Sequence, residues 1–275
     1  MNRDNRMKEN EDIDFCLLIP CYNNVDGLIT SLKSVMYPYS YLVVIVDDGS
    51  RQPIDAGYMA AQLKEEQPFV VLRNEKNLGI TAALNYGLSW IEANTHAKYI
   101  ARLDCGDRCS PYRFVKQVQL MNANPQLTLS GTWCTIVDER TSFHYSYKGP
   151  SLHSKIKKAM YERNVFMHAT VMFRTSALAL VGHYPTDFEL VEDYAFFWKL
   201  MNAGETAMIP EYLVTCELNK SGISYRNKSK QILARGRVIK TFGKSIVLKS
   251  IAYVRLLLLF IVPKQITLQL KKWKG

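Results

Sequence analysis

The stretch YLVVIVDDGS, residues 41–50, decides the fold. Its first six residues are apolar, and four of them are β-branched. A strand buried on both faces reads this way, which marks a parallel strand between helical layers. The run then stops on Asp47, Asp48, Gly49 and Ser50. Outward from it, strand and helix patterns alternate. FCLLIP (15–20), FVVL (69–72) and KYIARL (98–103) are strands. VDGLITSLKSVM (25–36), PIDAGYMAAQLKEE with Pro53 in its first turn, and GITAALNYGLSWIEA (79–93) are helices. This alternation predicts right-handed βαβ units and an α/β fold with a mostly parallel central sheet flanked by helices. Further on, LTLSGTWCTIVDE (127–139) and HATVMF (168–173) read as strands. SLHSKIKKAMYERN (151–164) and EDYAFFWKLMNAG (192–204) read as helices, the second ending at Gly204.

Polar residues gather after each of the first four strands. Tyr22, Asn23 and Asn24 follow the first; Asp47 to Ser50 follow the second. Arg73, Asn74 and Asn77 follow the third, and Asp104 and Asp107 follow the fourth. In an open α/β sheet the ligand lies beyond the carboxyl ends of the strands. The chain has no G-x-G-x-x-G, no G-x-x-x-x-G-K-[ST] and no G-x-S-x-G, so a dinucleotide fingerprint, a P-loop and a nucleophile elbow are absent. A carboxylate-rich edge of this kind suits a sugar nucleotide and a hard metal ion.

With 275 residues, 48% of them apolar, the chain can build a large core. Its six cysteines form no C-x-x-C pair and read as reduced thiols rather than disulfides or a zinc site. The polar start, MNRDNRMKENEDIDF, is not a signal peptide. The net charge of +10 is unevenly placed. No acid follows Glu217, while 14 lysines and arginines lie between Lys220 and Lys274, leaving residues 1–217 at −4. Residues 228–262 read as helix with weak points at Gly236 and Gly243. Arg237, Lys240 and Lys244 fall on one face, and Ile239, Phe242 and Ile246 on the other. The apolar run Leu256–Val262 is too short to span a bilayer. The expectation is a C-terminal amphipathic extension, residues 226–275, lying on an anionic membrane surface with Trp273 at the interface. A helix packed on the domain or an oligomer contact are the alternatives. Nucleic acid is not expected, because the apolar half has no use there.

Six motifs occur in order across Phe15 to Ser224: IPCYNN (19–24), VDDGS (46–50), NLGITAALNYGL (77–88), RLDCGD (102–107), HATVMFR (168–174) and EDYAFFWKL (192–200). Together they resemble the family 2 glycosyltransferases, inverting enzymes with the Rossmann-like GT-A fold. The resemblance implies a GT-A domain over residues 1–225. The implied substrates are a nucleotide-diphosphate sugar, UDP-linked above all, and a glycan or lipid-linked acceptor. A Mn2+ or Mg2+ cofactor and a place on the cytoplasmic membrane face in surface polysaccharide synthesis are also implied. Asp47 can accept a hydrogen bond from the base, or be a turn aspartate. Tyr22 and Asn23 contact the same base and Pro20 shapes the turn. Asn77 and Gly79 open a helix that can serve an anion, with Asn77 equally good as an N-cap. Arg73 and Arg102 face the diphosphate or pair with acids.

Asp107 is the expected metal ligand, with Asp104 on ribose or sugar hydroxyls; capping the next helix is the other role for Asp107. Asp193 is the implied base for the acceptor hydroxyl. Glu192 either contacts acceptor or phosphate or simply suits the helix dipole, and His168 either contacts phosphate or acceptor or is structural. Two departures stand out: Gly106 replaces the usual middle acid, and CELNKSGIS (216–224) has Glu217 and Asn219 where an Arg and a His are common. They keep open an inactive scaffold that binds a nucleotide or glycan at the membrane. A nucleotidyltransferase would carry a Gly-rich basic loop after the first strand, and CYNNVDG is not one.

Overall fold

A computed structural model describes residues 13–63, 67–138, 143–218 and 228–261. Four strands build the expected parallel half: β1 (Phe15–Cys21), β2 (Tyr41–Asp47), β3 (Phe69–Arg73) and β4 (Tyr99–Arg102). β1 runs parallel to both β2 and β4, and β2 parallel to β3. The helices between them are α1 (Val25–Lys33), α2 (Ala56–Gln62) and α3 (Ile80–Asn94). α2 starts later than Pro53 suggests, because Asp55 accepts the Tyr58 N–H at 2.6 Å and caps it there.

The second half is mixed. It holds β5 (Arg108–Cys109), α4 (Arg113–Ala123), β6 (Leu127–Asp138), β7 (Phe143–Tyr147), α5 (His153–Met160) and β8 (Met172–Arg174). α6 (Leu178–Val181), α7 (Glu192–Ala203) and β9 (Glu205–Glu217) follow. One nine-stranded sheet has the order β3-β2-β1-β4-β8-β6-β9-β5, with β7 on β6. β8 runs antiparallel to β4 and β6, while β9 runs parallel to β6. The expected strand at 168–173 is first a 3-10 turn, His168–Thr170. Thr170 closes it by donating from N and Oγ1 to the Met167 carbonyl, at 2.9 and 2.8 Å. Apolar side chains cover both faces of the sheet. Leu18, Val44 and Phe173 face the α3 and α7 side, and Leu17, Val43 and Met172 face the α1 and α4 side. The cysteines are free thiols.

The tail is two helices rather than one, α8 (Lys228–Phe242) and α9 (Ile246–Ile261). The break falls at Gly243, where a Cβ would stand 2.8 Å from the Tyr161 ring. The Tyr161 hydroxyl accepts the N–H groups of Lys244 and Ser245 at 2.8 and 2.9 Å, so it caps the second helix. α8 packs on α7 and buries Ile232, Val238 and Ile239 in the same core as Phe196 and Trp198. Arg237, Lys240 and Lys244 are exposed, as the pattern expects. Ile246 is not on the buried face; the break turns it outward and leaves it 81% exposed. Trp273 and Asn219 lie outside the described residues. Among those described, no helix is long and apolar enough to cross a membrane.

Because α8 closes the core, Ile239→Ala should destabilise the whole protein by about 2–5 kcal/mol. A urea titration followed by far-ultraviolet circular dichroism reads this as a lower midpoint in a single transition. A separate early loss of helix would show instead that α8 melts alone.

Candidate active site

Four loops beyond β1 to β4 meet because their strands are in register: Cys21 pairs with Asp47, and Asp47 with Arg73. In the first loop the Pro20 carbonyl accepts from the Cys105 thiol at 3.3 Å. Tyr22 is half exposed. Asn23 takes a left-handed φ of 51°, donates its N–H to Ser50 Oγ at 2.9 Å and accepts from the Arg51 N–H at 2.9 Å. Asp47 lies beneath them, fully buried. It accepts from the N–H groups of Ser50 (2.9 Å) and Ile54 (3.3 Å) and pairs with Arg73. Burial alone would raise its pKa, but the bonds from Ser50 and Ile54 and the Arg73 charge hold it below the ordinary carboxylate value. Its oxygens are thus spent on holding the loop, not turned toward a base as the sequence suggests.

Asp48 organises the next loop. Its Oδ1 accepts from Asn74 Nδ2 (2.8 Å) and the Leu78 N–H (3.0 Å), and its Oδ2 from the Gly79 N–H (2.9 Å). Gly79, not Asn77, occupies the N-cap of α3, and Asn77 is exposed. Gly49 is required between them: its φ is +71°, and a Cβ would stand 2.3 Å from the Lys76 carbonyl carbon.

The fourth loop carries the carboxylates. Arg102 is wholly buried, which rules out the expected contact with a diphosphate. Its Nη2 bonds Asp104 Oδ1 at 2.5 Å, Nη1 bonds the Leu103 carbonyl at 3.0 Å and the Leu18 carbonyl, and Nε bonds His168 Nε2 at 3.3 Å. His168 also meets the Tyr184 hydroxyl at 2.8 Å. Burial, then the Arg102 charge, push its pKa down to about 3, so it is neutral and accepts at Nε2. It sits behind Asp104 and brings no positive charge to a phosphate. The Asp104 side chain is 45% exposed, whereas Asp107 is buried. Asp107 accepts the Glu217 N–H at 2.8 Å and does not cap α4, whose N-cap is Tyr112. Burial and then the Asp104 charge raise Asp107 to about 7.

Asp193 stands in the first turn of α7. Its Oδ2 accepts from Asn164 Nδ2 at 2.9 Å and its Oδ1 from the Tyr194 N–H at 2.6 Å. Burial first, then the charges of Glu192 and Asp104, raise its pKa to about 7. Glu192 is raised by burial. The charges of Arg102, Asp193 and Asp104 all act on Tyr184.

The four loops of this edge sit inside a matched region: the glycosyl transferase family 2 signature covers residues 16–182, and Tyr184, Glu192 and Asp193 lie beyond it. The chain belongs to that family. The amylovoran biosynthesis glycosyltransferase AmsE of Erwinia amylovora is 27% identical over 90% of this chain and 91% of its own. An Escherichia coli UDP-Gal:alpha-D-GlcNAc-diphosphoundecaprenol beta-1,3-galactosyltransferase is 29% identical over 58% of this chain and 57% of its own. The solved structure of S. aureus TarS 1–349 in complex with UDP-GlcNAc superposes with a TM-score of 0.62 at 15% identity, covering 89% of this chain and 72% of that one. The fold is therefore the GT-A type expected of a family 2 glycosyltransferase.

Sequence reading of this glycosyltransferase put Asp48 in the polar cluster after β2 without giving it a role, and it missed Asn164 and Tyr184 as members of the site. Asp48 had a signal, since it adjoins Asp47 in VDDGS. Asn164 and Tyr184 had none, because only tertiary folding brings them to Asp193 and His168. Asn85 stitches α3 to the Tyr184 loop, bonding the Tyr184 carbonyl and N–H at 2.9 Å each.

Asp193 is held protonated by the fold, its pKa moving from 3.8 to about 7. The folded state therefore binds more protons than the unfolded chain between these values, and stability falls as pH rises through them. Asp193→Asn should accordingly raise the thermal midpoint at pH 8, by a few degrees. The gain should vanish near pH 3.5, where both side chains are neutral. Differential scanning fluorimetry at the two pH values checks the sign.

Proposed function

We propose that this glycosyltransferase moves a hexose from a UDP-sugar to a hydroxyl of a lipid-linked glycan, inverting the anomeric centre, during surface polysaccharide synthesis. The observation that carries the reading is Asp193: a partly buried carboxyl with a pKa near 7, held by Asn164, on the edge that also presents Asp104. A base poised near working pH is what deprotonation of a sugar hydroxyl in the transition state needs. Asp193 takes the hydroxyl proton as that oxygen attacks the anomeric carbon. The carbon–oxygen bond to the diphosphate breaks, and its electron pair leaves with the nucleotide. A carboxylate on the acceptor side gives one displacement, hence inversion.

On the donor side, Tyr22 and Asn23 contact the base, and Pro20 and Asp47 shape the loop that carries them. The N–H groups at the start of α3, after Asn77 and Gly79, face the diphosphate. Asp104 holds ribose or sugar hydroxyls, and Arg102 and His168 position it. Among the described residues no three His, Cys, Asp or Glu side chains make a metal cage. A buried acid raised by burial and by a neighbouring exposed acid nonetheless suits a hard cation, which keeps water and substrate phosphates among its ligands. Asp107, with Asp104, would hold Mn2+ or Mg2+. A bound ion would neutralise charge developing on the leaving diphosphate.

The acceptor's lipid brings the enzyme to the cytoplasmic face of the membrane. The outer face of α9 offers Ile246, Val247, Ile251, Val254, Leu257 and Leu258, all exposed, beside the cations of α8. The amylovoran biosynthesis named for one relative and the diphosphoundecaprenol acceptor named for the other fit this reading.

Asp193→Ala should lower kcat by about 10²–10⁴-fold while UDP-sugar binding, read by calorimetry, persists. Wild-type kcat/KM should fall about tenfold per unit as pH drops below about 7. Transfer by the variant at the wild-type rate would sink the base assignment. Asp107→Asn should lose the dependence of UDP binding on Mn2+; metal-independent binding by the wild type would remove Asp107 from that role.

A further inference from the structure

Three guanidiniums converge beside the base. Arg163 lies in the turn after α5, Arg235 on α8 and Arg255 on α9. Arg235 Nη2 donates to the Glu162 carbonyl at 2.7 Å, and Arg255 pairs with the Glu162 carboxylate. Arg163 Nη2 donates to the Lys148 carbonyl at 3.0 Å, and its guanidinium lies 4.9 Å from the Tyr147 ring centre. Burial and the like charges of Arg255 and Arg163 lower the pKa of Arg235, while Tyr194 and Tyr147 oppose them. The three therefore share one field. Glu162 supplies one negative charge against three positive ones.

The Arg235 Nε is buried and has no hydrogen-bond partner. A buried charged donor left unpaired is expensive, and a guanidinium with a free N–H is suited to phosphate oxygens. The cluster adjoins the chemistry directly: Arg163 precedes Asn164, the residue that bonds Asp193. The Arg235 charge acts on Tyr194, the residue after Asp193. Two of the three arginines sit on α8 and α9, the helices whose outer apolar face suits a lipid.

We propose that Arg163, Arg235 and Arg255 form a binding site for the phosphate ester of the lipid-linked acceptor, anchoring its diphosphate while the attached sugar meets Asp193. This rests on the acceptor class proposed above. It assigns acceptor recognition to the junction of the catalytic domain and its C-terminal helices. The surplus of positive charge is what an ionised diphosphate would cancel, and the unpaired Nε gains a partner on binding.

The test compares two acceptors carrying the same saccharide, one on a lipid diphosphate and one on an uncharged alkyl chain. In the double variant Arg163→Gln/Arg255→Gln, and separately in Arg235→Lys, the ratio of kcat/KM for the charged over the uncharged acceptor should fall about tenfold or more. The fall should lie mainly in KM. An unchanged ratio in variants with wild-type thermal midpoints overturns the site. A second measurement is independent of transfer: calorimetric titration of farnesyl diphosphate into enzyme saturated with UDP. Binding by wild type that the double variant loses supports the site, even if no glycan acceptor is ever found. Binding unaffected by the substitutions, or absent in an enzyme that does transfer, overturns it. Loss of adhesion to phosphatidylglycerol vesicles with the acceptor ratio intact would make the ligand a headgroup, and also overturns it.

Discussion

The buried guanidinium of Arg102 is the constraint on which the site depends. It bonds the Leu18 carbonyl on β1, the Leu103 carbonyl after β4, His168 in the 3-10 turn and Asp104 at the exposed edge. A charge this deeply buried is tolerated only when paired and hydrogen-bonded throughout. Removing any partner would leave the cation exposed to an apolar interior, so the four segments are locked together. That lock fixes Asp104 where substrate can reach it. His168 stays neutral there, first because it is buried and then because a second cation beside Arg102 would be repelled. Arg113 reinforces the arrangement from α4 by donating Nη2 to the Arg102 carbonyl at 2.8 Å. The polar centre is thus rigid underneath and open only at its rim.

Around this centre the acids divide by the donors and charges that meet them. Asp47 and Asp107 are both buried, yet their pKa values move in opposite directions. Asp47 has N–H donors from Ser50 and Ile54 and the Arg73 charge, so its ionised form is satisfied. Asp107 has Asp104 nearby and too few donors, so its ionised form is penalised. Asp193 belongs with Asp107, and Glu192 adds to its penalty. The fold gives up stability for both raised acids above the ordinary carboxylate range.

The parallel half of the fold was legible in sequence because its strands are buried on both faces. YLVVIV and FCLLIP carry that state in their composition, with no need for tertiary knowledge. The second half was less legible, since β6 takes β7, β8 and β9 along its length and its pairing depends on residues far away. The strand expected at His168 failed for a local reason, the Thr170 bonds to Met167. The tail was legible as helix but not as two helices, because the break depends on the Tyr161 hydroxyl. Within the site, Asp104, Asp107 and Asp193 were readable as acids at element ends. The internal fate of Arg102 and Asp47 was not, because charge at a strand end looks alike whether it turns inward or outward.

The Gly106 departure has a physical counterpart in Glu217. Gly106 has a φ of +102°, which already disfavours any side chain. A Cβ there would stand 2.6 Å from Glu217 Oε2. The space a middle acid would fill is therefore occupied by a carboxylate from β9, whose N–H also bonds Asp107. The β5–β9 pairing, which brings Arg108 opposite Thr215, holds that carboxylate beside the loop. Position 106 thus lacks an acid of its own but lies against one. The other departure, Asn219, lies outside the described residues.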